Sequence, residues 1–225
     1  HSTVHKIIGE AADELGQLDN LVRVEGVGCC GLGQFYVNHD ATIAAHGRAC
    51  AVATGIKRST PDSLVYTYQG DGDLASIGLA ETMSAANRGE NFTVIFVNNG
   101  IYGMTGGQMA PTTLIGMKAT TAPGGRNPEV HGYPMHVVEI LDQLTAPYYL
   151  ERVSCNTPQN VMKARNAIKK GFQYQLEGRG FSLIEIVTSC PTNWGLSTLD
   201  SLKFLEEKMF AEYPLGLVRD KGAEK

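Results

Sequence analysis

The stretch from Leu64 to Asn99 constrains the fold most, because it reads as one complete strand–helix–strand unit. Leu64 to Gln69 is a β-rich run, and Gly70-Asp71-Gly72-Asp73 follows it. A helix is predicted from Leu74 to Asn87, and Phe92 to Val97 is almost wholly apolar. A strand that is apolar on both faces belongs inside a sheet covered on both sides. The alternation continues in both directions. Val4, Ile7, Ile8, Ala11, Ala12 and Leu15 recur at helical spacing and predict an opening helix. Leu21 to Val27 reads as a strand and Ala41 to Lys57 as a helix. Val137 to Leu144 reads as a helix, Tyr148 to Val153 and Phe181 to Val187 as strands, and Leu199 to Phe210 as a last helix. Thr157 caps a helix with Pro158 at its first position. The pattern predicts an α/β fold, a mostly parallel sheet with helices on both faces, in one domain over residues 1–225.

Asn98 to about Pro134 breaks the pattern. It is rich in Gly, Thr, Pro and Met and has no clear period. A connection this long is functional or disordered, and its low charge argues against disorder. The polar tail from Lys221 to Lys225 is expected to be loose.

Charged residues make up only 19% of the chain, low for a fully solvated monomer, which points to surface buried against partner chains. The net charge of -4 gives no electrostatic case for nucleic-acid binding. No apolar run is long enough to span a bilayer or resembles a signal peptide. The five cysteines, Cys29, Cys30, Cys50, Cys155 and Cys190, are odd in number and lack the spacing of a secreted disulfide framework. A reducing cytoplasm is the expected compartment. The chain begins at His1 rather than Met, so residues are expected upstream.

Gly70-Asp71-Gly72-Asp73 sits where a strand gives way to a helix. Glycines let backbone amides approach an anion, and a helix N-terminus favours negative charge. An aspartate there would repel a bare phosphate unless a divalent cation lay between them. Asn98-Asn99 follows the next strand, and a strand–helix–strand unit takes about 30 residues. Asp71 and Asn99 are therefore placed at the carboxyl ends of two strands, the ligand crevice of open α/β sheets. Asp71, the Asn99 side-chain oxygen and one backbone carbonyl make an oxygen-only set suited to Mg²⁺. The alternative is a generic turn with a capping aspartate, which the pairing with Asn98-Asn99 disfavours.

Gly70-Asp71-Gly72 with Asn98-Asn99 resembles the thiamine-diphosphate motif. The run Asn98-Asn99-Gly100-Ile101-Tyr102-Gly103-Met104-Thr105-Gly106-Gly107-Gln108 resembles the β subunits of 2-oxoacid:ferredoxin oxidoreductases, the 2-oxoisovalerate branch above all. His46-Gly47-Arg48-Ala49, placed in the second helix, and Cys190-Pro191-Thr192-Asn193-Trp194 belong to the same likeness, which covers nearly the whole chain. The resemblance implies a thiamine-diphosphate-binding fold and Mg²⁺ held by Asp71, Asn99 and the Ile101 carbonyl. Gly70, Gly72, Asp73, Tyr102, Gly103, Met104 and Thr105 would line the diphosphate. His1, Cys29, His46 and Gly47 would lie near the cofactor, with His46 the catalytic candidate. A core histidine on a helix is the alternative for His46, and Arg48 reads equally as an ion-pair residue or a subunit contact. The implied activity is oxidative decarboxylation of a 2-oxoacid to acyl-coenzyme A, with electrons passed to iron–sulfur clusters and ferredoxin. The activating glutamate would come from an α/γ-type partner subunit, because Glu81 and Glu139 read as helix-surface residues.

Family members hold a [4Fe–4S] cluster with a Cys-x-x-Cys before the first helix, a third cysteine in a Gly-x-Gly-Cys turn and a fourth before Pro-Thr. Gly26-Val27-Gly28-Cys29 and Cys190-Pro191 match the last two, while His1-Ser2-Thr3 resembles the residues after the missing pair. Cys50 and Cys155 read as ordinary buried thiols. Leu32 and Met104 match positions that can face the substrate side chain, and neither offers a positive charge to a distal carboxylate. An apolar 2-oxoacid therefore fits better than 2-oxoglutarate. Two other readings share the metal motif: a thiamine-diphosphate decarboxylase or synthase without electron transfer, and a non-catalytic nucleotide-binding module.

Overall fold

Six parallel strands and one antiparallel strand build the central sheet of the computed structural model, which describes residues 1–223. In chain order the strands are β1 (Leu21–Glu25), β2 (Asp40–Ile43), β3 (Leu64–Gly70), β4 (Thr93–Asn98), β5 (Ile101–Tyr102), β6 (Gln108–Met109), β7 (Tyr149–Ser154), β8 (Ser182–Val187) and β9 (Gly216–Asp220). The sheet runs β2-β1-β3-β4-β8-β7-β9, and β5 and β6 form a separate short hairpin. β3 and β4 are parallel neighbours, with Gly70 opposite Val97. The strand–helix–strand unit from Leu64 to Asn98 therefore brings both strand ends to one edge.

Each face of the sheet carries its own apolar layer. On one face the helices Ser2–Glu14 and Pro158–Leu176 pack Ile7, Ile8, Ala11, Ile168 and Phe172 against Tyr66, Ile95 and Ile184. On the other, the helices Ala49–Ser59, Leu79–Arg88 and Val137–Asp142 pack Ala53, Ala85, Ala86 and Leu141 against Val65, Val94, Phe96 and Leu183. Thr157 caps the Pro158 helix as expected, its side chain accepting from the Asn160 amide at 3.2 Å.

The helix expected from Ala41 to Lys57 begins only at Ala49. Residues 41–43 belong to the exposed edge strand β2, and Gly47 at φ +75° then turns the chain. His46-Gly47-Arg48 therefore sits in the turn ahead of the helix. Arg48 is an ion-pair residue, 2.8 Å from Glu81. The helix predicted from Leu74 starts as a wide π-turn over Gly72–Ile77 and becomes regular only at Leu79. The last helix is likewise interrupted, by a π-turn at Leu205–Met209. The short edge strand β9 gave no period in the sequence, since Gly216, Arg219 and Asp220 flank only two apolar residues. The tail is less loose than expected up to Ala223: the Lys221 amide donates to Tyr148 O and the Ala223 amide to Asp220 O. Glu224 and Lys225 lie outside the described residues.

One side chain gathers much of the aperiodic segment after Asn98. Buried Arg126 donates to the carbonyls of Pro111 and Thr113 at 2.7 Å, Tyr133 at 2.6 Å and Gly132 at 2.9 Å, with longer bonds to Ala110 and His131. Among the described residues no helix is long and apolar enough to cross a membrane.

Candidate functional site

A cleft opens at the carboxyl ends of β1, β3 and β4. Its lining includes His1, Cys29, His46, Gly70, Asp71, Gly72, Asp73, Asn99 and the run Ile101 to Thr105. Most of the residues singled out in the sequence thus converge. Gly47 is buried just behind the lining, and Leu32 lies outside it. The tight helical turn Cys29–Phe35 carries Leu32 away to the outer surface, where it is 41% exposed. Met104, 49% exposed, stays in the lining.

Asp71 is the hub of the floor. Its Oδ1 accepts from the Gly72 amide at 2.8 Å. Its Oδ2 accepts from the amides of Asn99 at 3.3 Å and Ile101 at 3.1 Å and from the Thr112 hydroxyl at 2.9 Å. Asn99 Oδ1 lies 3.1 Å from the same Ile101 amide, so the two side-chain oxygens face one turn. Burial pushes the Asp71 carboxyl up to about 6, against the pull of these donors. A carboxylate buried this deep and met by three amides and one hydroxyl has the chemistry of a metal ligand. The oxygen set fits Mg²⁺ bound together with a diphosphate.

Asp73 also lies in the cleft lining, where protein donors engage its carboxylate. Its Oδ1 accepts from His46 Nδ1 at 2.6 Å, the Gly47 amide at 2.9 Å and the Val27 amide at 3.0 Å, and its Oδ2 accepts from Gln69 Nε2 at 2.6 Å. Its carboxylate is committed to the protein and ties three loops together. Because a carboxylate accepts, His46 Nδ1 carries the hydrogen, and Nε2 is the nitrogen open to a ligand. His46 is half-exposed in a turn, not a core residue on a helix.

Tyr102 donates to the Gly72 carbonyl at 3.0 Å and lies flat against that glycine. A methyl group on residue 72 would overlap the Tyr102 ring. Gly72→Ala should therefore push Tyr102 out and raise the dissociation constant for Mg²⁺–thiamine diphosphate by about 10-fold, the scale of a lost outer-shell contact. Equilibrium binding measures this, and circular dichroism should show the fold unchanged.

Cys29 and Cys190 meet at Gly103. A Cβ on Gly103 would lie 3.4 Å from the Cys29 sulfur and 3.7 Å from that of Cys190. Asn193 Nδ2 fixes this corner, donating to Gly103 O at 2.9 Å and to Cys190 Sγ at 3.3 Å. Burial, and then the neighbouring Cys190, push the Cys29 thiol up. Cys30 is spent on Gly26 O, and burial pushes its thiol up to about 12. Cys50 is fully buried, whereas Cys155 is partly exposed. A [4Fe–4S] cluster takes four thiolates. Among the described residues no group of three or more His, Cys, Asp or Glu is arranged to hold a metal ion. The two thiols alone do not fit a cluster.

Sequence reasoning missed Thr112 and Trp194. Thr112 touches Asp71 from within the aperiodic segment, and Trp194 Nε1 donates to the Asn99 carbonyl at 3.1 Å. Nothing in local pattern marks Thr112; Trp194 lay inside the quoted Cys190–Trp194 motif but had no role assigned.

Residues 26–186 match the family described as thiamine pyrophosphate enzyme, C-terminal TPP binding domain. The chain is 50% identical over 224 residues to ketoisovalerate oxidoreductase subunit VorA of Methanothermobacter thermautotrophicus, covering 100% of this chain and 47% of that protein. It is 38% identical over 204 residues to 2-oxoglutarate synthase subunit KorB of Methanocaldococcus jannaschii, covering 88% of this chain and 71% of the relative. The chain spans about half the length of the VorA proteins it matches. A solved 2-oxoglutarate:ferredoxin oxidoreductase from Magnetococcus marinus, with 2-oxoglutarate, coenzyme A and succinyl-CoA bound, superposes with a TM-score of 0.78 at 27% identity, over 98% of this chain and 78% of that one. The sheet order and these matches lead to one conclusion: the chain belongs to the thiamine pyrophosphate enzymes, in the family of the 2-oxoacid:ferredoxin oxidoreductases.

Proposed function

We propose that this chain holds Mg²⁺–thiamine diphosphate in a 2-oxoacid:ferredoxin oxidoreductase that converts an apolar, branched-chain 2-oxoacid to its acyl-coenzyme A. The observation that carries the reading is the buried Asp71 carboxylate facing the Asn99–Ile101 turn across two adjacent parallel strands. Asp71, Asn99 Oδ1 and the Ile101 carbonyl would ligate the metal. Gly70, Gly72, Tyr102, Gly103 and Thr105 would shape the diphosphate pocket. When bound, the cofactor supplies the nucleophilic carbon and the electron sink. His46 is set to hold or move a proton at Nε2, with Asp73 fixing its ring.

Among the described residues the lining contains no Lys or Arg to meet a distal carboxylate, and Met104 is part of it. Both favour an apolar side chain, as does the likeness to ketoisovalerate oxidoreductase. The paired Cys29 and Cys190 thiols favour an electron-transfer enzyme with ferredoxin as acceptor over a non-redox decarboxylase. Among the described residues the cleft lining holds no glutamate, which favours an activating glutamate from a partner subunit. Exposed Val27, Phe35, Tyr36, Ile43 and Ile77 lie around the same sheet edge and would be covered by that subunit. Five free thiols favour a cytoplasmic setting.

The test is ferredoxin reduction by the purified complex with coenzyme A and a panel of 2-oxoacids, beside Mg²⁺-dependent binding of thiamine diphosphate against nucleotides. Branched-chain 2-oxoacids should lead, and the isolated chain should bind cofactor weakly without turnover. A profile led strongly by 2-oxoglutarate, or aldehyde release without ferredoxin, overturns the reading.

A further inference from the structure

Strand β8 is fully buried and carries a glutamate, Glu185, between Ile184 and Ile186. Glu185 faces Arg152 across the β7–β8 register and Phe96 on β4. Arg152 Nε donates to Glu185 Oε2 at 2.7 Å, and both residues are at most 1% exposed. The outer end of the guanidinium clasps the two oxygens of Glu139, at 2.8 and 2.6 Å. A buried ion pair contributes little net stability compared with apolar side chains of the same size, so its presence at the sheet centre calls for another reason.

That reason lies in what Glu185 does with its second oxygen. Glu185 Oε1 accepts from Asn98 Nδ2 at 2.7 Å, and Asn98 Oδ1 in turn accepts from the Gly100 amide at 3.2 Å. Asn98 is fully buried and its side chain makes both bonds inside the protein, so it is a brace and not a ligand. The brace fixes the turn that carries Asn99 and Ile101. A second arm starts from the same guanidinium. Arg152 stacks over Tyr213 at 5.5 Å, the Tyr213 hydroxyl donates to the Thr112 carbonyl at 2.7 Å, and the Thr112 hydroxyl donates to Asp71 Oδ2 at 2.9 Å. One buried arginine is thus linked to both sides of the Asp71–Asn99 floor through intermediate residues.

We propose that Glu185 and Arg152 are positioning residues that set the Asp71–Asn99 spacing, through Asn98 on one side and through Tyr213 and Thr112 on the other. The inference rests on the reading of Asp71 and Asn99 as the Mg²⁺ site. Outer-shell partners of metal ligands are worth about 10–100-fold in metal affinity. The arms contact the ligands' own loops, so the effect belongs to metal affinity and not to stability alone.

The test is the Mg²⁺ concentration that half-saturates retention of thiamine diphosphate by the whole complex, measured well below each variant's melting temperature. Glu185→Gln should raise that concentration by about 10-fold or more. Glu139→Gln, at the half-exposed outer end, should shift it by less than about 2-fold. Where Glu185→Gln fails to assemble, Asn98→Ser cuts the brace while leaving the Arg152–Glu185 pair intact, and should give the same shift. A lowered melting temperature with an unchanged Mg²⁺ midpoint in the variant that assembles overturns the positioning role and leaves the Mg²⁺ site standing. A wild-type complex that retains thiamine diphosphate regardless of Mg²⁺ overturns both readings together.

Discussion

Asp71→Asn in the assembled complex should abolish cofactor-dependent turnover while leaving the fold intact. Asn has the same shape, so the packing around position 71 survives. What changes is charge and one acceptor. Asp71 accepts four hydrogen bonds, from the amides of Gly72, Asn99 and Ile101 and from Thr112. An amide nitrogen in place of either oxygen sets donor against donor, which costs about 1–3 kcal/mol. Against that, the substitution removes a buried charge that burial already drives toward protonation at about 6. The two effects oppose each other, so without added Mg²⁺ and cofactor the melting temperature should move little. The liganded protein should behave differently. Mg²⁺–thiamine diphosphate at about 100 times its dissociation constant adds about 2.7 kcal/mol, roughly a 5–10 °C rise for a chain of this size. Asp71→Asn should lose that rise, and its affinity for the metal–cofactor pair should fall by about 100-fold or more. Calorimetry with and without Mg²⁺–thiamine diphosphate reads both. A variant that still gains the full shift would show that the metal is held elsewhere.

The legible parts of this molecule were those in which side-chain period and backbone period coincide. The strand–helix–strand unit from Leu64 to Asn98 could be read because β4 is apolar on both faces and the interval to Asn99 matches one crossover. β2 was hidden inside a predicted helix because Ala41, Thr42 and Ile43 run straight into an Ala-rich stretch, and an exposed edge strand has no buried face to impose alternation. The role of Asp73 was also hidden. Spacing placed it beside Asp71, but only the folded loops show that Val27, His46, Gly47 and Gln69 converge on its carboxylate. Glu185 and Arg152 were not read as site residues at all, because their link to the site passes through Asn98 and Tyr213, which no local pattern joins. Long-range polar networks of this kind have no sequence period. They become visible only when the topology places β4, β7 and β8 side by side.

The segment from Gly100 to Pro134 shows the same limit at larger scale, and Arg126 is where to probe it. Outside the short β5–β6 hairpin and a single helical turn at Pro128–His131, its carbonyls lack strand or helix partners. Arg126 meets six of them, those of Ala110, Pro111, Thr113, His131, Gly132 and Tyr133. It thereby draws the two ends of the loop together and holds Thr112 and Thr113 between them. Thr113 in turn donates to the Gly100 carbonyl, and Thr112 to Asp71. Arg126→Ala removes the shared donor and leaves several buried carbonyls without one. Each charged hydrogen bond contributes about 1.5–3 kcal/mol and the set is not additive, so the expected local loss is about 3–5 kcal/mol, the scale of breaking a buried charged network. Because the sheet and its two apolar layers lie elsewhere, the loss should be confined to the loop. Amide exchange within residues 104–135 should accelerate by about 100-fold or more, while β3, β4 and β8 stay protected. Mg²⁺–thiamine diphosphate affinity should fall with it, since Thr112 no longer steadies Asp71. Arg126→Lys, which keeps the charge but has three donors on one nitrogen, should satisfy only one end of the loop and fall between the two. Exchange that accelerates across the whole sheet instead would mean that Arg126 supports the core, and that the loop is not an independently ordered part of the site.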